Sequence, residues 1–416
     1  MRRLCAASVV AIAALAEFGG MAGPGVSASS YVAPLDWEQI GADIDGEAYE
    51  DQSGFSVATS SDGSRVVIGT HLSDGNGTDS GHVRIFDFDG SDWVQVGAII
   101  EGEAAGDQFG WSVAMSSDGS RVAIGAHKNN GVTNGDSGHV RVFDFNGTNW
   151  VQVGADIDGE AFRDQFGHSV AMSSDGSRIV VGADQNDGVN GVNSGHVRAF
   201  EFNGTNWVKV GADIDGEAAD DRFGYSVAMS SDGSRIMAGA HLNDGTSVNM
   251  EDNRGHVRVF DFNGTNWVQV GTDIDGENAY DRSGADIAMS SDGSRVVIGA
   301  LSNSGPAGIN SGHVRVFDLN GSDWVQVGAD IDGVAGYDRF GDSVAMSSDG
   351  SRIVVGAYHN DGATGDMNDN RGHVRVYDWD PTSGAWVQVG ADIFGEAAGD
   401  WFGYSVAMSS DGSRIM

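Results

Sequence analysis

Residues 169–183 read Ser169-Val-Ala-Met-Ser-Ser-Asp-Gly-Ser-Arg178-Ile-Val-Val-Gly-Ala183. The first five residues predict a short apolar strand. Ser174-Asp-Gly-Ser177 predicts a tight turn, since Asp-Gly accepts the positive φ that hairpins demand. Arg178 to Ala183 is a continuous apolar run, which reads as a strand buried on both faces. A loop rich in Asp, Asn and Gly follows to Ser194. Gly195 to Phe202 predicts a third strand, Asn203-Gly204 a second turn, and Asn206 to Ala212 a fourth strand. No segment of this unit carries a helical period.

The unit recurs. Ser-Ser-Asp-Gly-Ser-Arg occurs seven times, its Arg at 65, 121, 178, 235, 295, 352 and 414. The spacing is 56 to 62 residues, longer than WD40 or kelch units. Trp opens the fourth strand at 37, 93, 150, 207, 267, 324 and 386. Four-stranded units in tandem cannot bury both faces alone, and radial packing about an axis solves this. The expectation is an all-β, seven-bladed propeller of four-stranded antiparallel blades. Trp37 precedes the first full unit, and Tyr404 to Met416 supplies only two strands. The last blade is therefore expected to be incomplete, its ends leaving a gap or meeting as a parallel pair.

Composition narrows the function classes. The chain has 416 residues, with 60 Asp+Glu against 23 Lys+Arg and a formal net charge of −37. So acidic a surface repels phosphate, which excludes nucleic acid and disfavours anionic membranes. Met1-Arg-Arg followed by the apolar run Leu4 to Ala16 and the small residues Val26-Ser-Ala28 has the layout of a secretory signal peptide. The apolar run is too short to span a bilayer. The expected organisation is a leader over 1–28 and a propeller over 29–416, secreted or at the cell surface, with no membrane span in the mature chain. Cleavage would remove Cys5, the only cysteine.

Each unit resembles the FG-GAP repeat of integrin α-subunit propellers. The resemblance is carried by Phe223-Gly-Tyr-Ser-Val-Ala, Ile236-Met-Ala-Gly-Ala240 and Gly255-His-Val-Arg-Val. Phe-Gly recurs at 109, 166, 340 and 402, and is altered to Ser-Gly at 53 and 283. The resemblance implies a propeller that works as a binding or adhesion scaffold for an extracellular protein or glycan, rather than an enzyme. It also implies that recognition sits on the loops between strands two and three and on the blade connectors. Family calcium loops lie between strands one and two; here that turn is too short to supply six to eight oxygens, so they are not carried over. The Ser-Asp-Gly turn and third strand also look like WD40 blades.

The longest and most charged of the two–three loops carry Asp244, Glu251, Asp252, Asp361, Asp366 and Asp369, the expected ligand-binding residues. Calcium is the candidate cofactor, on the acidic connectors. Asp156, Asp158, Glu160 and Asp164 form one set, Asp213, Asp215, Glu217 and Asp221 another, and Asp273, Asp275, Glu277 and Asp281 a third. The competing reading is that these carboxylates cap turns. Histidine recurs in the third strand at 82, 139, 196, 256, 313 and 373, read as a structural position. Sequons stand at Asn76, Asn146, Asn203, Asn263 and Asn320, as glycosylation candidates or simply as Asn-Gly turns. No catalytic set is singled out. The rival reading is a carbohydrate-active enzyme on a propeller, which would show clustered His, Tyr, Arg and acids near the axis; no blade is read as showing one. A third is a purely structural repeat protein.

Overall fold

A computed structural model describes residues 11–14, 37–48, 50–131, 135–245, 252–362 and 369–416. Among these residues every regular element is a strand. The second blade is typical. Strands Ser112–Met115, Arg121–Ala126, His139–Phe145 and Trp150–Gln152 pair in chain order, all antiparallel. A fifth, Ile157–Asp158, returns to the third strand, pairing Val140 with Ile157 and His139 with Asp158. The fourth strand covers only the far half of that edge, and the connector completes it. Six sheets share this plan.

The expected seven four-stranded blades are thus corrected to six blades of four strands plus one. The extra strand falls in the segment that the sequence marks only as a blade connector, because two residues are too few to show a period. At the seventh position stands a three-stranded antiparallel sheet drawn from both ends of the chain, Trp37–Gln39, Ile12–Ala14 and Arg414–Ile415, in that order. Neither the expected gap nor a parallel pair is found. The middle strand comes from the apolar run assigned to the leader, and Ile12 is buried.

The Ser-Asp-Gly turns explain why the repeat is so regular. In blade two, Asp118 accepts the Ser120 N–H at 2.9 Å and the Ser116 hydroxyl at 2.7 Å, fixing the turn from within. Arg121 then grips Asp144 on the third strand and donates to the Gly176 carbonyl of the next blade at 2.8 Å. The turns also bond one another. The N–H of Ser61 donates to Ser117, and the series runs through Ser174, Ser231, Ser291, Ser348 and Ser410 back to Ser61, at 2.7–2.9 Å. The outer edge has a matching link, where each fourth-strand Trp donates its indole N–H to the preceding sheet, as Trp150 does to Val96 at 3.0 Å.

The Phe-Gly element packs between blades. Phe109, Phe166, Phe223 and Phe340 are fully buried. The guanidinium of Arg141 lies 4.2 Å from the Phe109 ring centre, and Arg198 and Arg258 repeat this on Phe166 and Phe223. Glycine at 182 is dictated by the next blade, because a Cβ there would lie 1.9 Å from the Gly224 carbonyl oxygen. This close approach brings the first strands together around the axis.

Candidate active site

The residue after each Phe-Gly or Ser-Gly opens the innermost strand and faces the axis. These residues are Phe55, Trp111, His168, Tyr225, Ala285, Asp342 and Tyr404. All seven line a central cavity of about 390 Å³. Phe55, Trp111, His168 and Tyr225 form consecutive ring contacts of 4.5, 5.6 and 4.8 Å, and Tyr404 joins Phe55 at 4.9 Å. A second tier stands behind them at the end of strand two. His71 lies 4.0 Å from Phe55, His127 4.0 Å from Trp111, and His241 3.8 Å from Tyr225. The aromatic wall is broken only where Ala285 and Asp342 replace a ring.

Acids fill the break. In most blades the next residue is a serine that bonds the neighbouring blade, as Ser112 does to the Gly167 carbonyl at 2.8 Å. The fifth blade has Asp286 there, and its carboxylate accepts the Val344 N–H at 2.7 Å instead. Enclosure by protein pushes its carboxyl up to about 7. Asp342 is pushed up to about 7 by the same enclosure and by the charge of Asp286, with Arg339 opposing. Both keep some surface open to the cavity, so they are enclosed yet reachable. Burial also raises the Tyr225, Tyr358 and Tyr404 hydroxyls and holds His71, His127 and His241 below the usual imidazole range, which leaves these groups neutral at pH 7.

Arginines approach from one side. The residue before each Phe-Gly or Ser-Gly is Gln52, Gln108 or Gln165 on three blades, Arg222, Arg282 or Arg339 on the next three, and Trp401 at the end. Arg339 donates to the Tyr358 hydroxyl at 2.5 Å, and Arg222 pairs with Asp184 at 3.2 Å. Arg282 and Arg339 line the cavity. Within a chain of net charge −37, two cations thus reach the cavity from adjacent blades.

The expected ligand-binding acids lie elsewhere, among the loop ends. Asp244 accepts the Asn253 N–H at 2.8 Å and Asp361 the Asn370 N–H at 3.0 Å, each closing a two–three loop. Asp252 and Asp369 are buried and pair with Arg254 and Arg371 at 2.5 and 3.0 Å. Glu251 and Asp366 lie outside the described residues. Among the sequon asparagines, Asn146, Asn203 and Asn263 hold their turns by accepting two backbone N–H groups each, while Asn76 donates to the Gly102 carbonyl at 2.7 Å. Asn320 ends a third strand.

The connector sets do not converge as written. Asp164 and Asp221 are buried and cap their own turns through the N–H groups of Ala161 and Ala218. Asp213 pairs with Lys209 and Glu160 with Arg198, both at 2.9 Å. Asp158 and Asp215 are half-buried, and their carboxyls are raised by burial. Instead, acids from successive connectors meet on a third-strand histidine. Glu103, His139 and Asp156 form one group, Glu217, His256 and Asp273 a second, and Glu277, His313 and Asp330 a third, each with donor atoms within 4.8 Å of one another. Each group could hold a metal ion. The donors are mixed nitrogen and oxygen, which is not a calcium shell.

The residue after Phe-Gly falls within the repeat motif, so its variation is easily taken for drift. The signal was there, in an axial position whose residue varies from blade to blade inside an otherwise constant frame, and in Asp286 where other blades have serine.

A family model for the FG-GAP repeat matches residues 93–143, 155–200 and 330–377. No curated protein matches the chain. Among solved structures, a protein of Bacteroides uniformis described as a 6-phosphogluconolactonase superposes with a TM-score of 0.57 at 14% identity, over 94% of this chain and 98% of that one. A periplasmic gluconolactonase of Pseudomonas aeruginosa gives 0.56 at 14% identity, over 93% and 96%. A Bacteroides fragilis protein, also described as a 6-phosphogluconolactonase, gives 0.54 at 13%, over 94% and 97%. At these identities the likeness establishes the propeller fold. It corrects the integrin-type, cell-adhesion expectation, because nearly the whole chain lies along propellers described as lactonases. The non-enzymatic reading is corrected with it, since the axial cluster of His, Tyr, Arg and acids that was read as absent is present. Among the described residues no helix is long and apolar enough to cross a membrane.

Proposed function

We propose that the chain is an extracellular or periplasmic hydrolase that opens sugar lactones in its axial cavity. The observation that carries this is the pair Asp286 and Asp342, two reachable carboxyls set in the one gap of an aromatic wall. Both titrate near 7, and the charge of Asp286 opposes ionisation of Asp342. The pair therefore holds about one proton at neutral pH. The ionised member takes a proton from water, and the resulting hydroxide adds to the lactone carbonyl carbon. Negative charge moves to the carbonyl oxygen, where Arg282 and Arg339 supply donors. The protonated member then gives its proton to the departing ring oxygen, and the product is an open hydroxy acid. Phe55, Trp111 and Tyr404 offer flat apolar surface for the C–H face of the sugar, and the two arginines suit its carboxylate product.

The lactonase descriptions of the similar propellers support the reaction class, and one of them is periplasmic. The basic start and apolar run of the N-terminus support export. Calcium has no part in this reading.

The test is proton release from a panel of five- and six-membered aldonolactones, followed at constant pH with the purified chain. Turnover is expected for at least one, and Asp342→Asn should lower it by about 10²-fold or more, the usual range for an acid–base group. A folded chain without turnover on any member overturns the reading.

A further inference from the structure

Outside the axial cavity, the three Glu–His–Asp groups are built the same way. We infer that Glu103/His139/Asp156, Glu217/His256/Asp273 and Glu277/His313/Asp330 are three binding sites for a divalent transition-metal ion of the zinc and cobalt class.

The donor atoms of each group lie within 4.8 Å of one another. Ligands at about 2.0–2.2 Å from a common ion need only a small contraction from there. Each histidine is 1 or 2% exposed, and its Nε2 has no partner. A buried polar atom left without a partner is costly; Nε2 is left so at all six third-strand histidines, and at these three a glutamate and an aspartate oxygen stand within reach of the ring. Charge points the same way. Arg141 faces Glu103, Asp156 and Asp107; Arg258 faces Glu217, Asp273, Asp221 and Asp215; Arg315 faces Glu277, Asp330, Asp281 and Asp275. One guanidinium does not balance three or four carboxylates, and a dication fits the deficit. The nearest Arg–Glu approaches are 3.7, 3.6 and 3.7 Å, longer than hydrogen bonds. These glutamates keep oxygens available for a second cation. An imidazole with carboxylates selects a borderline ion over calcium, which takes six to eight oxygens.

The other blades supply internal controls. In the third, Glu160 has closed on Arg198 at 2.9 Å. The first has Glu47 and His82 but Ile99 where the second acid belongs, and the sixth has Val334 in place of the glutamate. Among the described residues, three groups are therefore complete.

Equilibrium dialysis of the full chain against Zn²⁺, and separately Co²⁺ and Ca²⁺, with metal counted per chain, tests this. Three Zn²⁺ or Co²⁺ per chain are expected, with visible cobalt absorption bands. Glu103→Gln, at a half-exposed position, should lower the count to two with an unchanged melt. Ile99→Asp should raise it to four by completing Glu47 and His82. Fewer than one ion per chain overturns the inference, as does a count insensitive to Glu103→Gln in a folded variant. Binding of Ca²⁺ alone overturns the metal class.

Discussion

The fourth and fifth blades share a frame and part at three of four residues. The fourth reads Phe223-Gly-Tyr225-Ser226 and the fifth Ser283-Gly-Ala285-Asp286. In the fourth, Phe223 is fully buried under Arg258, Tyr225 packs on His241, and the Ser226 hydroxyl donates to the Gly284 carbonyl of the next blade at 2.8 Å. In the fifth the core ring is gone, the axial ring is gone, and a carboxyl stands in place of the hydroxyl. One blade is filled for stability. Its neighbour gives up packing for an open pocket with a group that prefers to hold a proton. The strand frame is unchanged, with both first strands showing the same register shift, so the blade tolerates the exchange.

Making the fifth blade like the fourth should have the largest effect. Ala285→Tyr with Asp286→Ser fills the gap and restores the serine. Lactone turnover should fall by about 10²-fold or more, while the melting temperature holds or rises. Retained turnover would place the chemistry elsewhere.

The converse concerns the core. Phe223→Ala should cost about 3–5 kcal/mol, the usual loss for a buried ring. Ser283→Ala, at the equivalent position, should cost about 1 kcal/mol or less, because no ring is lost and only the Oγ is removed. Denaturant titration compares the two, and equal losses would deny that the blades are packed differently.

The smallest effect concerns pH. The Asp286 carboxyl sits near 7 in the folded protein, above its unfolded value of about 3.9. The folded state therefore binds the proton more tightly. Its contribution is fully present below about pH 4 and is lost as pH rises through 7. Asp286→Asn should then melt about 1–3 °C above the parent at pH 8, and level with it at pH 4. A gap that widens toward low pH would mean that Asp286 ionises in a favourable setting.

The constant parts of the repeat were legible, because each strand and turn is written six or seven times with a local cause. Asp118 holds its turn and Arg121 its strand wherever the hexapeptide occurs. The blade count was less legible, since the terminal sheet joins Ile12 to Gln39 and Ile415, and no local pattern announces a pairing across the whole chain. The site was hidden for a related reason. Asp342 in Gly-Asp-Ser-Val looks like one polar residue at a strand start, and nothing nearby says that Asp286 of the preceding blade stands beside it. Its raised carboxyl is a property of that convergence, absent from either segment alone. The metal groups were half legible. The acids were marked, but as sets within one connector, whereas the fold pairs acids of successive connectors over a histidine read as structural.

The serine turns, each bonded to the next, make a hoop rather than a row. In a row of repeats an end unit can peel away and lose one interface. In a hoop every unit has two neighbours, and release anywhere must break two junctions at once. The terminal sheet is the clasp, because only there is the circle held by strand pairing between distant stretches of chain rather than by continuous backbone. Ile12–Ala14 lies in the middle of that clasp. A protease or an unfolding force is expected to open the hoop first at that seam.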